Sequence, residues 1–76
     1  MVTIYGKENC AFCNMAKTLC ESKNVEYTYY SLGEDYSSED FYSKFPDART
    51  FPQIIIDDDA IGGFTELRER LWVKIG

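Results

Sequence analysis

Lys7-Glu8-Asn9-Cys10-Ala11-Phe12-Cys13 joins a short apolar run, Val2–Tyr5, to a segment with helical periodicity. Two cysteines separated by two residues at the start of a helix lie on its first turn, close enough for their sulfurs to bond. A helix N-terminus carries partial positive charge and unpaired N–H groups, and both favour a thiolate over a thiol. The stretch therefore predicts an exposed, ionised Cys10 with Cys13 beside it, which indicates a site of thiol–disulfide exchange.

Hydrophobic periodicity predicts the element order β-α-β-α-β-β-α, in one α/β domain over residues 1–76. A strand, a helix and a strand within about 30 residues form a βαβ unit with parallel strands, and the turn at 57–59 pairs its flanking strands antiparallel. We therefore expect a four-stranded mixed sheet flanked by three helices. In the first half of the chain we predict a strand at 2–5, a loop with Asn9 as N-cap, a helix from Phe12 to 22–24 and a strand at 25–31. In the second half we predict a helix at 39–45 and strands at 53–56 and 60–61. The last helix begins at Phe64 and is marked by Leu67, Leu71 and Ile75.

Composition narrows the classes of function. The chain has 76 residues, 45% of them hydrophobic and 16% aromatic, which suits one small domain with an aromatic core. Its net charge of −5 and scattered basic residues argue against a nucleic-acid surface. No apolar run approaches the length of a membrane span and no leader pattern is visible. We therefore expect a cytoplasmic, monomeric protein without membrane or nucleic-acid partners.

Three cysteines are an odd number, which does not suit a secreted disulfide framework. In a reducing compartment, a pair with the spacing of Cys10 and Cys13 is catalytic or binds metal. A tetrahedral zinc site needs two further ligands, but the chain has no histidine and only Cys20 remains. Redox chemistry is therefore favoured, with Cys10 as the nucleophile. We expect Cys20 to be a buried, small apolar side chain; the alternative is a regulatory thiol.

Three further landmarks make the chain resemble a dithiol glutaredoxin over essentially its whole length. Lys7 stands three residues before Cys10, and Arg49-Thr50-Phe51-Pro52-Gln53 is similar to the family's Thr-Val-Pro stretch. Gly62-Gly63-Phe64-Thr65-Glu66-Leu67 is similar to the family's Gly-Gly turn into the last helix. The resemblance implies the thioredoxin fold in its minimal form.

The chain departs from the common family pattern at two places. Ala11-Phe12 stands between the cysteines where the family usually has Pro-Tyr, and Phe51 replaces the usual valine. Small redoxins that take electrons from thioredoxin reductase share this length. Their last helix begins with Trp-Ser-Gly-Phe-Arg-Pro-Asp, which residues 61–66 do not match.

The resemblance implies a binding site for glutathione around Cys10. It implies a cis Phe51–Pro52 bond that presents the backbone of residue 51 to the peptide. Lys7 and Arg49 suit the glycyl carboxylate, and the first turn of the last helix suits the γ-glutamyl carboxylate. Phe12 is either part of the core or partly exposed beside Cys10. The predicted glutathione-binding residues are Lys7, Phe12, Arg49, Thr50, Phe51, Pro52, Gly63, Phe64 and Thr65.

The resemblance implies an enzyme that reduces protein disulfides and protein–glutathione mixed disulfides through Cys10 and Cys13. Glutathione would be the reducing co-substrate, no cofactor would be tightly bound, and ribonucleotide reductase would be one client. Two alternatives stay open. One is a redoxin reduced by thioredoxin reductase, and the other is a dimer that binds a [2Fe–2S] cluster through Cys10 of each chain and two glutathiones.

Overall fold

The computed structural model describes residues 1–48 and 50–72 of the chain. Over these residues the elements follow the predicted order β-α-β-α-β-β-α. Two positions used in the predictions, Arg49 and Ile75, lie outside the described residues. The elements are β1 (Val2–Gly6), α1 (Ala11–Ser22), β2 (Tyr27–Ser31), α2 (Ser38–Lys44), β3 (Gln53–Ile56), β4 (Asp59–Gly62) and α3 (Phe64–Trp72).

The strands of the described chain form one mixed sheet in the order β2-β1-β3-β4. β1 pairs parallel with β2, from Val2 opposite Tyr27 to Gly6 opposite Ser31. β3 pairs antiparallel with both β1 and β4. This arrangement confirms the predicted α/β class and is that of a minimal thioredoxin fold. Because β1 is a central strand, the loop that follows it begins at the middle of one end of the sheet.

Alternation along β1 separates the two faces of the sheet. Ile4 is fully buried beneath α1 and α3, whereas the neighbouring Tyr5 lies on the opposite face, with its ring 5.3 Å from that of Phe45, just after α2. The helices therefore cover both faces. The buried cluster on the α1 and α3 side consists of Val2, Ile4, Ala16, Cys20, Ile54 and Leu67.

Gly6 fixes the junction between β1 and the loop that carries Cys10. A Cβ atom at Gly6 would overlap the phenol of Tyr29, so a larger residue would disturb this junction. The Gly6 carbonyl accepts hydrogen bonds from the Leu32 N–H at 2.9 Å and from the Tyr36 hydroxyl at 2.7 Å. These contacts tie the end of β1 to the segment that follows β2.

Two predicted boundaries in the βαβ unit are wrong. The N-cap of α1 is Cys10, with φ −111° and ψ 110°, whereas Asn9 occupies the left-handed region at φ 57°. The second strand begins at Tyr27 rather than Val25. The chain leaves α1 through a left-handed Asn24, and the Val25 N–H then bonds to the Cys20 carbonyl at 2.9 Å, so this segment closes the helix.

Smaller differences occur in the second half of the chain. α2 begins at Ser38 because Ser37 forms a capping box with Asp40, in which each side chain accepts from the other residue's backbone N–H. β4 extends to Gly62, which remains paired opposite Ile54. None of the helices within residues 1–48 and 50–72 is long and apolar enough to cross a membrane.

Candidate active site

Cys10 and Cys13 are joined by a disulfide bond at the N-terminus of α1, with their Cα atoms 5.2 Å apart. The Cys10 Sγ accepts the Cys13 N–H at 3.2 Å, and the Cys10 carbonyl accepts the Asn14 N–H at 3.1 Å. Cys10 is partly exposed, whereas Cys13 is fully buried. The geometry therefore presents one sulfur of the pair to a partner and shields the other.

The positive end of α1 is aimed at the accessible sulfur. When the disulfide is reduced, the N–H of Cys13 and the first turn of the helix stabilise negative charge on Cys10. A nucleophilic thiolate needs this environment together with access. The structure therefore places the two cysteines on the first turn of α1, as their spacing predicts, and the ionisation of Cys10 stays a prediction.

The segment before β3 lies against Cys10. The carbonyl oxygen of Phe51 is 4.0 Å from the Cys10 Sγ. The bond between Phe51 and Pro52 is cis, as the resemblance implies, and Pro52 is buried. The Gln53 side-chain amide donates to the Thr50 carbonyl at 2.9 Å, which braces the turn. The backbone of residue 51 thus borders the dithiol.

Lys7 is exposed and contacts the same segment through the ring of Phe51. Its Nζ is 5.2 Å from the centre of the Phe51 ring, a cation–π contact. This places a positive charge beside the segment that borders Cys10. Arg49, the second predicted cation, lies outside the described residues.

A cleft of about 300 Å³ adjoins the dithiol, and we refer to it as the active-site cleft. It brings together seven of the predicted binding residues from three separate segments of the chain, and it adds Glu66. Lys7 does not line this cleft. The lining residues are Phe12, Thr50, Phe51, Pro52, Gly63, Phe64, Thr65 and Glu66.

Phe12 is exposed, with 55% of its surface accessible, which decides between the two interpretations of this residue. Its ring contacts that of Phe64, with centres 5.9 Å apart. The two rings extend the apolar wall of the active-site cleft toward the solvent. Phe12 is therefore a surface residue beside Cys10 and not a core residue.

Glu66 is a residue of the cleft that the sequence prediction missed. Its Oε1 accepts the Gly63 N–H at 2.8 Å, so the side chain caps α3 from the third helical position. A sequence signal for this contact exists, since a glutamate at the third position of a helix often caps the residue before the helix. The N–H groups of Phe64 and Thr65, at the start of α3, point toward no acceptor within the helix.

Cys20 is fully buried in the core cluster. Burial, followed by the nearby charge of Glu21, raises the pKa of the Cys20 thiol. The side chain therefore stays a neutral thiol, which fits the interpretation of Cys20 as a small packing residue. In the described part of the chain, no group of three or more histidine, cysteine, aspartate or glutamate side chains is arranged to hold a metal ion.

Comparison with protein families and curated proteins gives a consistent result. The family model described as Glutaredoxin matches residues 2–61. A probable glutaredoxin of Synechocystis is 36% identical over 67 residues, which cover 87% of this chain and 62% of that protein. Glutaredoxin 3 of Escherichia coli is 36% identical over 66 residues, which cover 87% of this chain and 80% of that protein. The chain thus spans less than two thirds of the Synechocystis protein.

Solved structures share the fold. Glutaredoxin 1 from Francisella tularensis, crystallised with cacodylate, superposes with a TM-score of 0.80 at 31% identity, covering 97% of this chain and 94% of that one. A buckwheat glutaredoxin–glutathione complex superposes with a TM-score of 0.78 at 21% identity, covering 91% of this chain and 66% of that one. At that identity, the buckwheat structure supports the fold alone.

Proposed function

Because this chain belongs to the glutaredoxin family, we propose that it is a thiol–disulfide oxidoreductase that draws its electrons from glutathione. The observation that carries the proposal is the position of the Cys10 sulfur. It caps α1, it lies 4.0 Å from the Phe51 carbonyl, and it is accessible while its partner Cys13 is buried. These features suit a nucleophile with a resolving cysteine behind it.

The reaction with a protein disulfide runs in two exchanges. The Cys10 thiolate attacks one sulfur of the client, forming a mixed disulfide and releasing the other client sulfur as a thiolate that takes a proton. Cys13, as a thiolate, then attacks the Cys10 Sγ and releases the second client thiol. Two electrons have passed to the client, and the Cys10–Cys13 disulfide remains.

Two glutathione molecules would restore the dithiol. The first glutathione thiolate attacks the Cys10 Sγ, which leaves glutathionylated Cys10 and a Cys13 thiol. The second attacks the glutathione sulfur of that mixed disulfide, which releases glutathione disulfide and the Cys10 thiolate. When the client is itself glutathionylated, Cys10 alone carries the cycle.

The active-site cleft supports glutathione as the reductant. Its volume of about 300 Å³ lies at the small end of the range of about 300–1,000 Å³ typical of small-molecule pockets. The start of α3 supplies N–H groups at Phe64 and Thr65 that suit the γ-glutamyl carboxylate. The backbone of Phe51 suits the peptide, and the positive charge of Lys7 suits the glycyl carboxylate.

The test compares Cys10→Ser with Cys13→Ser in the reduction of a glutathionylated peptide, coupled to glutathione reductase and NADPH. We expect Cys10→Ser to lose activity, because it lacks the attacking sulfur, and Cys13→Ser to keep it, because one thiol is enough for this substrate. Activity in Cys10→Ser would contradict the mechanism. Replacing glutathione and its reductase with thioredoxin reductase should abolish turnover, and equal turnover would identify the alternative electron source.

Three finer points of the proposal rest on the sequence and the family alone. They are a cytoplasmic location, a monomeric state, and ribonucleotide reductase as one client. Sedimentation of the reduced protein, after anaerobic incubation with glutathione, ferrous iron and sulfide, tests the monomer, since a cluster-bridged dimer would appear as a coloured species of twice the mass. Reconstituted reduction of ribonucleotide reductase by the purified protein tests the client.

A further inference from the structure

A second cleft, of about 370 Å³, opens on the α2 side of the sheet, and none of its lining residues belongs to the active-site cleft. We refer to it as the tyrosine cleft. Its walls include three tyrosine rings, two acidic residues and one lysine. The residues concerned are Tyr5, Tyr30, Tyr36, Asp35, Asp40 and Lys44.

The three tyrosines form a connected group centred on Tyr5. The Tyr5 ring lies 5.3 Å from that of Tyr30, tilted by 39°, and 5.3 Å from that of Tyr36, in an edge-on arrangement at 74°. Tyr30 keeps 37% of its surface exposed. Aromatic faces attract cations, and more strongly where water is partly excluded. The Nζ of Lys44 lies 5.9 Å from the centre of the Tyr5 ring, so a cation of the chain itself already approaches this wall.

The backbone positions both carboxylates at the cleft. Asp35 Oδ2 accepts the Ser31 N–H at 2.8 Å, and Asp40 Oδ2 accepts the Ser37 N–H at 3.4 Å. A carboxylate has about four acceptor positions, so each group retains capacity for a further donor. The cleft therefore presents fixed negative charge beside electron-rich rings, which is the chemistry that recognises an organic cation.

We propose that the tyrosine cleft binds an arginine side chain of a protein client. A guanidinium group stacks on aromatic rings and donates to carboxylates at the same time, whereas an ammonium group is a compact point charge. The net charge of −5 favours the approach of a basic partner. The arginine would displace Lys44 from the Tyr5 ring.

The cleft is connected to the dithiol through aromatic packing. Phe41, which lines the tyrosine cleft, stacks on Phe51 with ring centres 4.6 Å apart and an angle of 25°. The carbonyl of Phe51 in turn borders the Cys10 Sγ. The two sites therefore share one packed group of residues, and the proposal requires a client polypeptide bound at Cys10 to extend past Phe51 to the tyrosine cleft. Only the identification of the partner as a redox client rests on the proposed function.

The test titrates the oxidised, ¹⁵N-labelled protein with acetyl-arginine methylamide and follows the amide resonances. We expect shifts concentrated in Tyr5 and residues 30–44, and binding at least about threefold tighter than that of the citrulline analogue, which has nearly the same shape without the charge. Asp35→Asn and Asp40→Asn should each weaken binding by about threefold while keeping an oxygen acceptor for the backbone. Lys44→Met should strengthen binding by about twofold, because it removes the competing cation.

Asp58→Asn, in the turn before β4, is the matched control because it removes one negative charge away from the cleft. It should leave the affinity nearly unchanged. Equal binding of arginine and citrulline amides, shifts concentrated away from Tyr5 and residues 30–44, or an equal effect of Asp58→Asn would overturn the inference. Tighter binding of tetramethylammonium than of the arginine amide would also overturn it, since the cleft would then suit a small quaternary amine. The titration needs no turnover, so a protein that binds arginine but lacks activity would refute the proposed function alone.

Discussion

At the scale of single residues, the sulfur of Cys10 has two roles. It caps α1 by accepting the Cys13 N–H, and it is the accessible atom of the dithiol. Asparagine is among the residues most preferred at the N-cap, which explains why the sequence favoured Asn9. The structure instead uses another property of asparagine, its tolerance of the left-handed conformation, to turn the chain before the helix.

Tyr36 offers a test at the same scale. Burial, followed by the nearby Tyr29, Tyr5 and Asp35, raises the pKa of the Tyr36 phenol to about 12. In the unfolded chain a tyrosine ionises near pH 10. Between pH 10 and 12 the unfolded state therefore loses a proton that the folded state keeps. The contribution of the Tyr36 phenol to the free energy of unfolding accordingly declines as the pH rises.

We expect Tyr36→Phe to be less stable than the parent at pH 9, because it lacks the hydrogen bond from the hydroxyl to the Gly6 carbonyl. The difference in the free energy of unfolding should shrink as the pH rises from 10 toward 12. Urea denaturation of both proteins at several pH values measures it. Tyr27, whose hydrogen bond to Glu21 raises its pKa to about 12, is present in both proteins and cancels. A difference that stays constant up to pH 11.5 would contradict this assignment.

At the scale of elements, predicted and observed structure agree where the hydrophobic period is long and differ where a single side chain sets a boundary. The apolar face of α1 was predicted because burial on one face of a helix leaves a regular pattern. The strand β3 was predicted because an unbroken run of isoleucines is typical of a strand covered on both faces. The ends of α2 and β2 were not, because they depend on the Ser37 cap and on the left-handed Asn24. Such local contacts compete with other backbone conformations of similar energy, so the sequence alone does not show which one forms.

The capping box of α2 leads to a prediction. Ser37→Ala removes the oxygen that accepts the Asp40 N–H at 3.1 Å, so we expect a loss of about 1 kcal/mol in the free energy of unfolding. Ser38→Ala is the control, because it makes the same chemical change one residue later on an exposed position of the first turn. It should stay within about 0.5 kcal/mol of the parent. Equal effects of the two substitutions in urea denaturation would show that the cap contributes nothing.

At the scale of the whole molecule, the sheet order follows from the element order, whereas the active-site cleft does not. Parallel pairing of β1 and β2 was predictable because the helix between them returns the chain to the end of the sheet at which β1 begins. The cleft joins residues near 12, 50 and 64, whose proximity depends on how three connections meet at one end of the sheet. Only the resemblance to a family brought those residues together in advance. The tyrosine cleft had no such precedent, and packing alone reveals it, whereas Glu66 had only the signal of a capping glutamate at the third helical position.

The overall charge predicts how ionic strength affects turnover. With a net charge of −5, the protein should attract an arginine-rich glutathionylated peptide at low salt, and about 0.5 M salt should screen that attraction. We expect kcat/KM for this peptide to fall by at least about threefold between 0.02 and 0.5 M sodium chloride. The same peptide with citrulline in place of arginine is the control. It lacks the arginine charges, so salt can screen only the charges of its glutathione group. A parallel fall for both peptides would mean that the charge of the protein does not guide the client.

Because the Cys13 N–H donates to the Cys10 Sγ, its proton is sensitive to the chemical state of that sulfur. That proton senses whether the neighbouring sulfur is a thiolate, part of the internal disulfide or bonded to a client. Each state changes the electron density that the proton meets, so its resonance frequency marks successive stages of turnover without an added label. The resonance of the Cys13 amide proton therefore reports the redox state of Cys10.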